Sequence, residues 1–430
     1  MIALRRGSSL RPVARPALVA VAAMAAMAAL APGAAGAEPP ALAAAAAANA
    51  QLQGDEAARH RIEDYLARGP GGPGRAWQPL ARAQIDALPA DFIVDAQGRG
   101  THRAVQAAVD AVPAMHGTHA ASAASSTTTA PATPRRHYVI EIRPGTYREP
   151  LCVRGKVPLL LRGQAADAAA VRIVEGRWNG KPKAPDVPAH PCVPALHATT
   201  HGTSGSTSVA IFSDDVVLAH LHIANDATEG AAAPGRAPEA GGAQAVALTT
   251  AGDRIQLENV RLTSHQDTFY ARRRERELAA RVFVRASHIA GDVDFVFGNA
   301  TLVITDSTLH SRADRRVDRS SSGAGGIVLA PSTLPDEPFG LLVTHSRFTA
   351  DAGLAPGSVA LGRAWDQGVP AGQWRAGVSP NGQALVRESE LGPHIGAWVA
   401  STSGRPFAAQ GVAANRLFEF ANRRAQPQPR

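Results

Sequence analysis

Aromatic side chains are scarce in this sequence, at 5% of residues, and cysteine is scarcer, with two in 430. Two cysteines exclude a disulfide-dense scaffold. Nothing in the spacing of Cys152 and Cys192 decides between one bridge in an oxidising compartment and two buried thiols. The few aromatics are not interleaved with a basic stripe, which argues against a nucleic-acid surface. Beyond the first forty residues no apolar run is long enough to read as a membrane span. What is abundant is alanine, 40 glycines, 32 prolines and 45% hydrophobic residues, enough for one large core or two ordinary ones. That mixture suits short strands and many turns better than a helical bundle.

The exception comes first in the chain. Arg5, Arg6, Arg11 and Arg15 precede the run "ALVAVAAMAAMAALAPGAAGA", which closes on small residues before Glu38. This is the pattern of a secretory signal over residues 1–37, so the mature chain is expected to be exported, either periplasmic or extracellular, with no stable membrane insertion. The formal charge of +8 is carried almost wholly by arginine. In an exported protein such charge steers polyanions, an acidic polysaccharide for example.

Residues 38–90 are rich in alanine, glycine and proline. They hold one helix-like segment, "DEAARHRIEDYLAR", and then the linker "GPGGPG". An amphipathic helix is expected around Val105 to Val112, and "HGTHAASAASSTTTAPATP" reads as low-complexity loop. From "HYVIEIRPGTYREPLCV" onward the chain is a series of short strands, and these repeat. The segments "VVLAHLHI" (from Val216), "IQLENVRL" (Ile255), "VFVRASHI" (Val282), "LVITDSTL" (Leu302), "LLVTHSRF" (Leu341) and "ALVRESEL" (Ala384) align. Each is apolar at its first, third and eighth positions and small or apolar at its sixth: Leu221, Val260, Ser287, Ser307, Ser346 and Ser389. The intervals between starts are irregular, the shortest being the 20 residues from Val282 to Leu302. Fixed core positions with variable loops describe a solenoid, and the fold expected is all-β, a right-handed parallel β-helix.

This register locates two carboxylates. Asp267 lies five residues after Leu262, and Asp294 five after Ile289, the eighth positions of adjacent turns. They are expected to stack about one strand spacing, ~4.8 Å, apart. Within "GDVDFVFGNA", Val293, Phe295 and Phe297 alternate with Asp292, Asp294 and Val296, as in a strand with two unlike faces. Repulsion between stacked carboxylates raises one pKa, leaving an acid beside a base. Gln244, returned to the neighbouring rung by "QAVALTT", and Gln266 supply amide N–H groups for a developing oxyanion. Taken singly, either aspartate is more simply a turn cap or a surface calcium ligand; the stacking favours catalysis.

These segments resemble the pectin methylesterase family. "GDVDFVFGNA", "QAVAL", "HQDTFYA" and "LGRAW" are similar to the family's active-site motifs in the family's order, and the likeness runs from about residue 92 to 400. The downstream "LAPSTLPDEPFGLLVTHSRF" and "RPFAAQGVAANRLFEFANR" are closer to the bacterial envelope-associated branch. The resemblance implies hydrolysis of homogalacturonan methyl esters without metal or organic cofactor. Asp294 would be the nucleophile, Asp267 the acid and base, Gln266 and Gln244 the oxyanion donors. Arg363 would orient Asp294, and Trp365 would pack on a sugar ring. It also implies an N-terminal helical cap, a β-helix catalytic domain over 91–404 and a helical tail over 405–430; a solenoid capped at both ends is expected to be a monomer. Two positions depart from the pattern: Asp226 in "ANDAT", where threonine is usual, and Ala364, where proline is usual. A general carboxylesterase or acyl thioesterase and a non-catalytic polysaccharide-binding solenoid are the competing readings.

The remaining candidates read more plainly. Arg363 and Trp365 have surface and core as their default readings, Trp374 and Trp398 read as core or cleft lining, and Asp292 as a turn residue. Tyr270 and Phe295 are candidates to flank a cleft. His265 reads as a polar rim residue because no serine or cysteine nucleophile motif accompanies it. "ARRRERE" after Tyr270 reads as a solvated loop.

Overall fold

The computed structural model describes residues 50–69, 72–73, 77–115, 137–185, 188–227, 242–314, 325–407 and 415–425. The expected signal over 1–37, the low-complexity loop and most of the glycine- and alanine-rich excursion after Ala227 lie outside the described residues.

Between its ends, each turn of the chain lays one strand in a ten-stranded sheet, one in a nine-stranded sheet and one in a seven-stranded sheet, all pairing in parallel with the turns before and after. The result is the right-handed parallel β-helix. The first positions of the repeat are in register along the ten-stranded sheet: Val216, Ile255, Val282, Leu302, Leu341 and Ala384 are successive partners. The eighth positions Ile223, Leu262, Ile289, Leu309, Phe348 and Leu391 do the same along the nine-stranded sheet. Both columns point inward and are buried, stacking like on like through the core.

The corner between these two sheets explains the constant eight-residue pattern. His220, Asn259, Ala286, Asp306, His345, Glu388 and Ala421 each follow a ten-stranded-sheet strand and adopt a left-handed backbone, with φ of 48–55°. One such residue bends the chain, so the corner has a fixed length while other connections vary. The sixth-position serines lie just inside it. Each hydroxyl donates to the carbonyl two residues earlier and accepts the amide of the previous turn. Val260 N–H reaches Ser287 Oγ at 3.0 Å, Ser287 N–H reaches Ser307 Oγ at 3.1 Å, and Ser307 N–H reaches Ser346 Oγ at 3.2 Å.

The N-terminal end of the solenoid is closed by the helix Val105–Ala111, which buries Val105, Ala108 and Val109. Its first amides, Val105 and Gln106, donate to the Glu149 carboxylate at 2.8 and 2.9 Å, placing an anion where the helix N-terminus favours one. Residues 50–67 and 77–88 lie along the outer face of the ten-stranded sheet, the first near its last strand and the second towards its first. Glu419 N–H donates to Ala50 O at 2.8 Å, Tyr65 is fully buried against Phe283, Val303 and Leu385, and Ile85 packs on Val139, Leu160 and Val217. The expected single helix here is two short ones, Gly54–Ala57 and Ile62–Ala67, because the Asp64 carboxylate caps the Arg61 amide and restarts the turn.

The expected helical tail is corrected. Arg416–Phe420 and Arg423–Arg424 are strands that extend the ten- and nine-stranded sheets. "RLFEF" has a period of two: Leu417 and Glu419 are buried while Arg416, Phe418 and Phe420 are partly exposed, so the segment adds one more rung. Cys152 and Cys192 form a disulfide that ties the excursion between Glu175 and Val209 to the edge of the seven-stranded sheet.

Candidate active site

Asp267 and Asp294 occupy corresponding corners between the nine- and seven-stranded sheets. Leu262 pairs with Ile289 before the corner, and Phe269 with Val296 after it. Both aspartates are left-handed, at φ 67° and 48°, a conformation that aspartate tolerates better than most residues. The two bends lie directly on one another, Asp267 N–H donating to Val293 O at 3.0 Å and Asp292 N–H to His265 O at 3.1 Å. Gly291 has no room for a side chain, since a Cβ there would sit 2.3 Å from Phe295 Cβ and 2.6 Å from His265 O. Both aspartates are more than nine-tenths buried.

Arg363 comes from the end of the strand Val359–Gly362, two turns further on, and its guanidinium grips Asp294 with two bonds. Nε donates to Oδ1 at 3.0 Å and Nη2 to Oδ2 at 2.6 Å. Burial opposes the arginine's charge, but the charge and hydrogen bonds of Asp294, with the charge of Asp267, outweigh it and raise the arginine's pKa. The two bonds orient both oxygens of Asp294.

Gln266 immediately precedes Asp267 and is half-buried; Gln244 sits on the preceding turn, 2% exposed, where Ala245 N–H donates to Gln266 O at 3.0 Å. The strand after Gln244 is anchored by Asn225, whose amide nitrogen lies 2.8, 2.8 and 3.1 Å from the carbonyls of Arg177, Ser206 and Val246. From the other side Asn179 N–H donates to Gln244 O at 2.8 Å. Disulfide-tied excursion and glutamine are therefore one unit. Asp226, the departure in "ANDAT", forms an ion pair with Arg148, and Ala364 is fully buried.

Beside the carboxylates lies an aromatic shelf. Tyr270 and Phe297, on the turns of Asp267 and Asp294, stack with centroids 4.3 Å apart and 8° between planes, and Trp365 meets them edge-on at 5.9 and 5.5 Å. Phe295, expected at the cleft, is instead fully buried in the core. The strand is only Val296–Gly298; the left-handed Asp294 breaks the alternation, so Phe295 and Val296 both turn inward and Phe297 faces out. His265 is corrected too: its side chain is 1% exposed and pairs with Asp314 at 3.1 Å. Trp398 is core, and Trp374 is half-buried, bonded to Pro380 O. "ARRRERE" is stitched down rather than solvated throughout, with Arg273 buried against Glu337 and Arg274 paired with Asp214.

Among the described residues no three His, Cys, Asp or Glu side chains converge as a metal site, and no helix is long and apolar enough to cross a membrane. All six residues expected at the site, Gln244, Gln266, Asp267, Asp294, Arg363 and Trp365, lie around one stretch of the solenoid. Phe297 was missed, since the break at Asp294 hides which face it takes.

The chain matches the family model described as Pectinesterase over residues 194–367. It is 34% identical to a pectinesterase of Ralstonia solanacearum over 88% of this chain and 92% of that protein. The chain belongs to the pectinesterase family. Pectinesterase B of Dickeya dadantii is 31% identical over 74% of this chain and 73% of its own length. The solved structure of rice weevil pectin methyl esterase superposes with a TM-score of 0.67 at 27% identity, covering 87% of this chain and 96% of that one. This pectinesterase thus shares the fold with its relatives along nearly the whole solenoid.

Proposed function

We propose that this pectinesterase hydrolyses the methyl esters of homogalacturonan, releasing methanol and leaving free galacturonate carboxylates, with Asp294 as nucleophile. The observation that carries the reading is the buried Asp267–Asp294 pair on adjacent turns, with Arg363 holding both oxygens of Asp294 at 3.0 and 2.6 Å. Asp294 attacks the ester carbonyl, and the carbonyl electrons move to an oxyanion that the amide N–H groups of Gln266 and Gln244 stabilise. Collapse expels methoxide, which takes a proton from Asp267 and leaves as methanol. The acyl-enzyme anhydride remains. Asp267, now ionised, draws a proton from water, whose oxygen attacks the anhydride and frees Asp294 and the product acid. Trp365 packs against the pyranose. The basic charge of the chain favours encounter with an acidic polymer.

Residues 1–37 are read as an export signal, 91–404 as the catalytic domain, and the working enzyme as a monomer. Methanol release from methylated pectin tests the function. Asp294→Asn is expected to reduce it by at least about a thousandfold and Asp267→Asn by about a hundredfold or more, with both variants still folded. No methanol from pectin, with turnover of an acyl thioester, would assign the site to a thioesterase. Binding without any turnover would make it a polysaccharide-binding solenoid.

A further inference from the structure

The arginines that follow Tyr270 divide into two kinds. Arg273 is buried and gripped by both oxygens of Glu337 at 2.9 and 3.0 Å. Arg274 pairs with Asp214 at 2.8 Å, and Arg276 with Asp336 at 2.6 Å. Arg272 is the exception: among the described residues no carboxylate pairs with it. Its one hydrogen bond is from Nε to Arg273 O at 3.1 Å, and its guanidinium carbon stands 5.6 Å from the centroid of the Tyr270 ring. The side chain is half-buried and open to solvent.

Its place gives the unpaired charge a use. Ala271 is an inward residue of the seven-stranded sheet, so alternation sets Arg272 on the outward side with Tyr270. Tyr270 stacks on Phe297 and meets Trp365, and it lies near enough to Asp267 to feel its charge. The cleft therefore holds two cations of different status. Arg363 is committed to Asp294 by two bonds, whereas Arg272 presents free guanidinium donors at the edge of the aromatic shelf. A guanidinium with donors to spare recognises a carboxylate in a planar two-bond geometry that a methyl ester, lacking the negative charge, satisfies poorly.

We propose that Arg272 is a specificity residue that holds the free carboxylate of a galacturonate unit next to the one being de-esterified. This rests on the esterase reading above.

The test uses the full-length enzyme, kcat and KM, and two pectins of equal chain length, one fully and one sparsely methyl-esterified. Arg272→Gln is expected to raise KM on the sparsely esterified pectin about tenfold with kcat unchanged, and to alter KM on the fully esterified pectin by less than about twofold. Arg272→Lys, which keeps the charge, is expected to recover most of the lost affinity. Because the side chain is half-exposed, melting temperatures should stay close to that of the wild type. An equal rise in KM on both pectins, or no change on either, overturns the proposal. Methanol release from the fully esterified pectin by the unmutated enzyme checks the esterase reading separately.

Discussion

Asp294 is held by two hydrogen bonds, one to each oxygen, from a single guanidinium, and that geometry is what a lysine cannot reproduce. Arg363→Lys keeps the positive charge but offers a compact point charge in place of a planar fork, so Asp294 loses its fixed orientation. The expected outcome is a fall in kcat of roughly ten- to a hundredfold with KM little changed and the fold intact, read by steady-state kinetics alongside a melting curve. Despite its burial, the charges of Asp294 and Asp267 raise the pKa of Arg363, so the guanidinium is cationic throughout the working range. At this scale the equivalence of Asp267 and Asp294 was legible, because it depends only on their distance from Leu262 and Ile289. The outward position of Phe297 was not, because a left-handed φ of 48° at Asp294 resets the alternation and no residue pattern announces it. The partners of Arg273 and Arg274 were likewise hidden, since Glu337 and Asp214 lie about 60 residues away in sequence.

The element that gives the solenoid its regularity is the corner after each strand of the ten-stranded sheet. Its left-handed residue fixes the geometry, and the serine that follows stitches one turn to the next. Ser346 Oγ accepts the amide of Ser307 at 3.2 Å and donates to Thr344 O at 2.8 Å, with the side chain 2% exposed. Ser346→Ala leaves a buried amide without its acceptor, a cost of about 1–3 kcal/mol. The expected result is a lower urea midpoint with unchanged KM, because the ladder lies inside the solenoid, away from the cleft. The corner's constant length is also why the repeat could be read at all: six segments shared apolar and small positions while the intervals between them varied. The last rung escaped that reading. "RLFEFANR" carries an apolar pattern that suits a helix until its pairing with Gln383–Arg387 forces a period of two. The disulfide stayed undecided for a related reason, since only the folded excursion brings Cys192 back to the strand Leu151–Val153.

Across the whole molecule, residues 50–67 and 77–88 are anchored to strands towards the two ends of the ten-stranded sheet. Gln51 bridges to Glu419 on the last strand, Gln256 bonds both the amide and the carbonyl of Leu80 at 2.8 Å, and Arg162 donates to the carbonyls of Ile85 and Asp86 at 2.8 and 3.0 Å. A fold closed along its length in this way should unfold as a unit, so strain anywhere in it is felt in the global stability. Several buried histidines supply such a strain when acidified. Burial, aided by the charge of Arg177, lowers His190 to about 3, and burial, aided by His310, lowers His394 to about 4. Burial likewise lowers the half-buried His222 and His288 to about 4, with neighbouring arginines contributing. In the unfolded chain these rings titrate near 6.5. Above that pH neither state is protonated and their contribution to stability is complete. Below it the unfolded chain takes up protons that the folded chain refuses, and stability drains away until the pH reaches the folded values near 3 to 4. Each such histidine steepens the loss by up to about 1.4 kcal/mol per pH unit within that window. The melting temperature should therefore stay level from about pH 8 to 6.5 and fall with increasing slope from 6 to 4. Replacing His394 by Gln should flatten that slope by about one proton. A melting temperature that held constant down to pH 4.5 would mean that these rings reach solvent and titrate alike in both states.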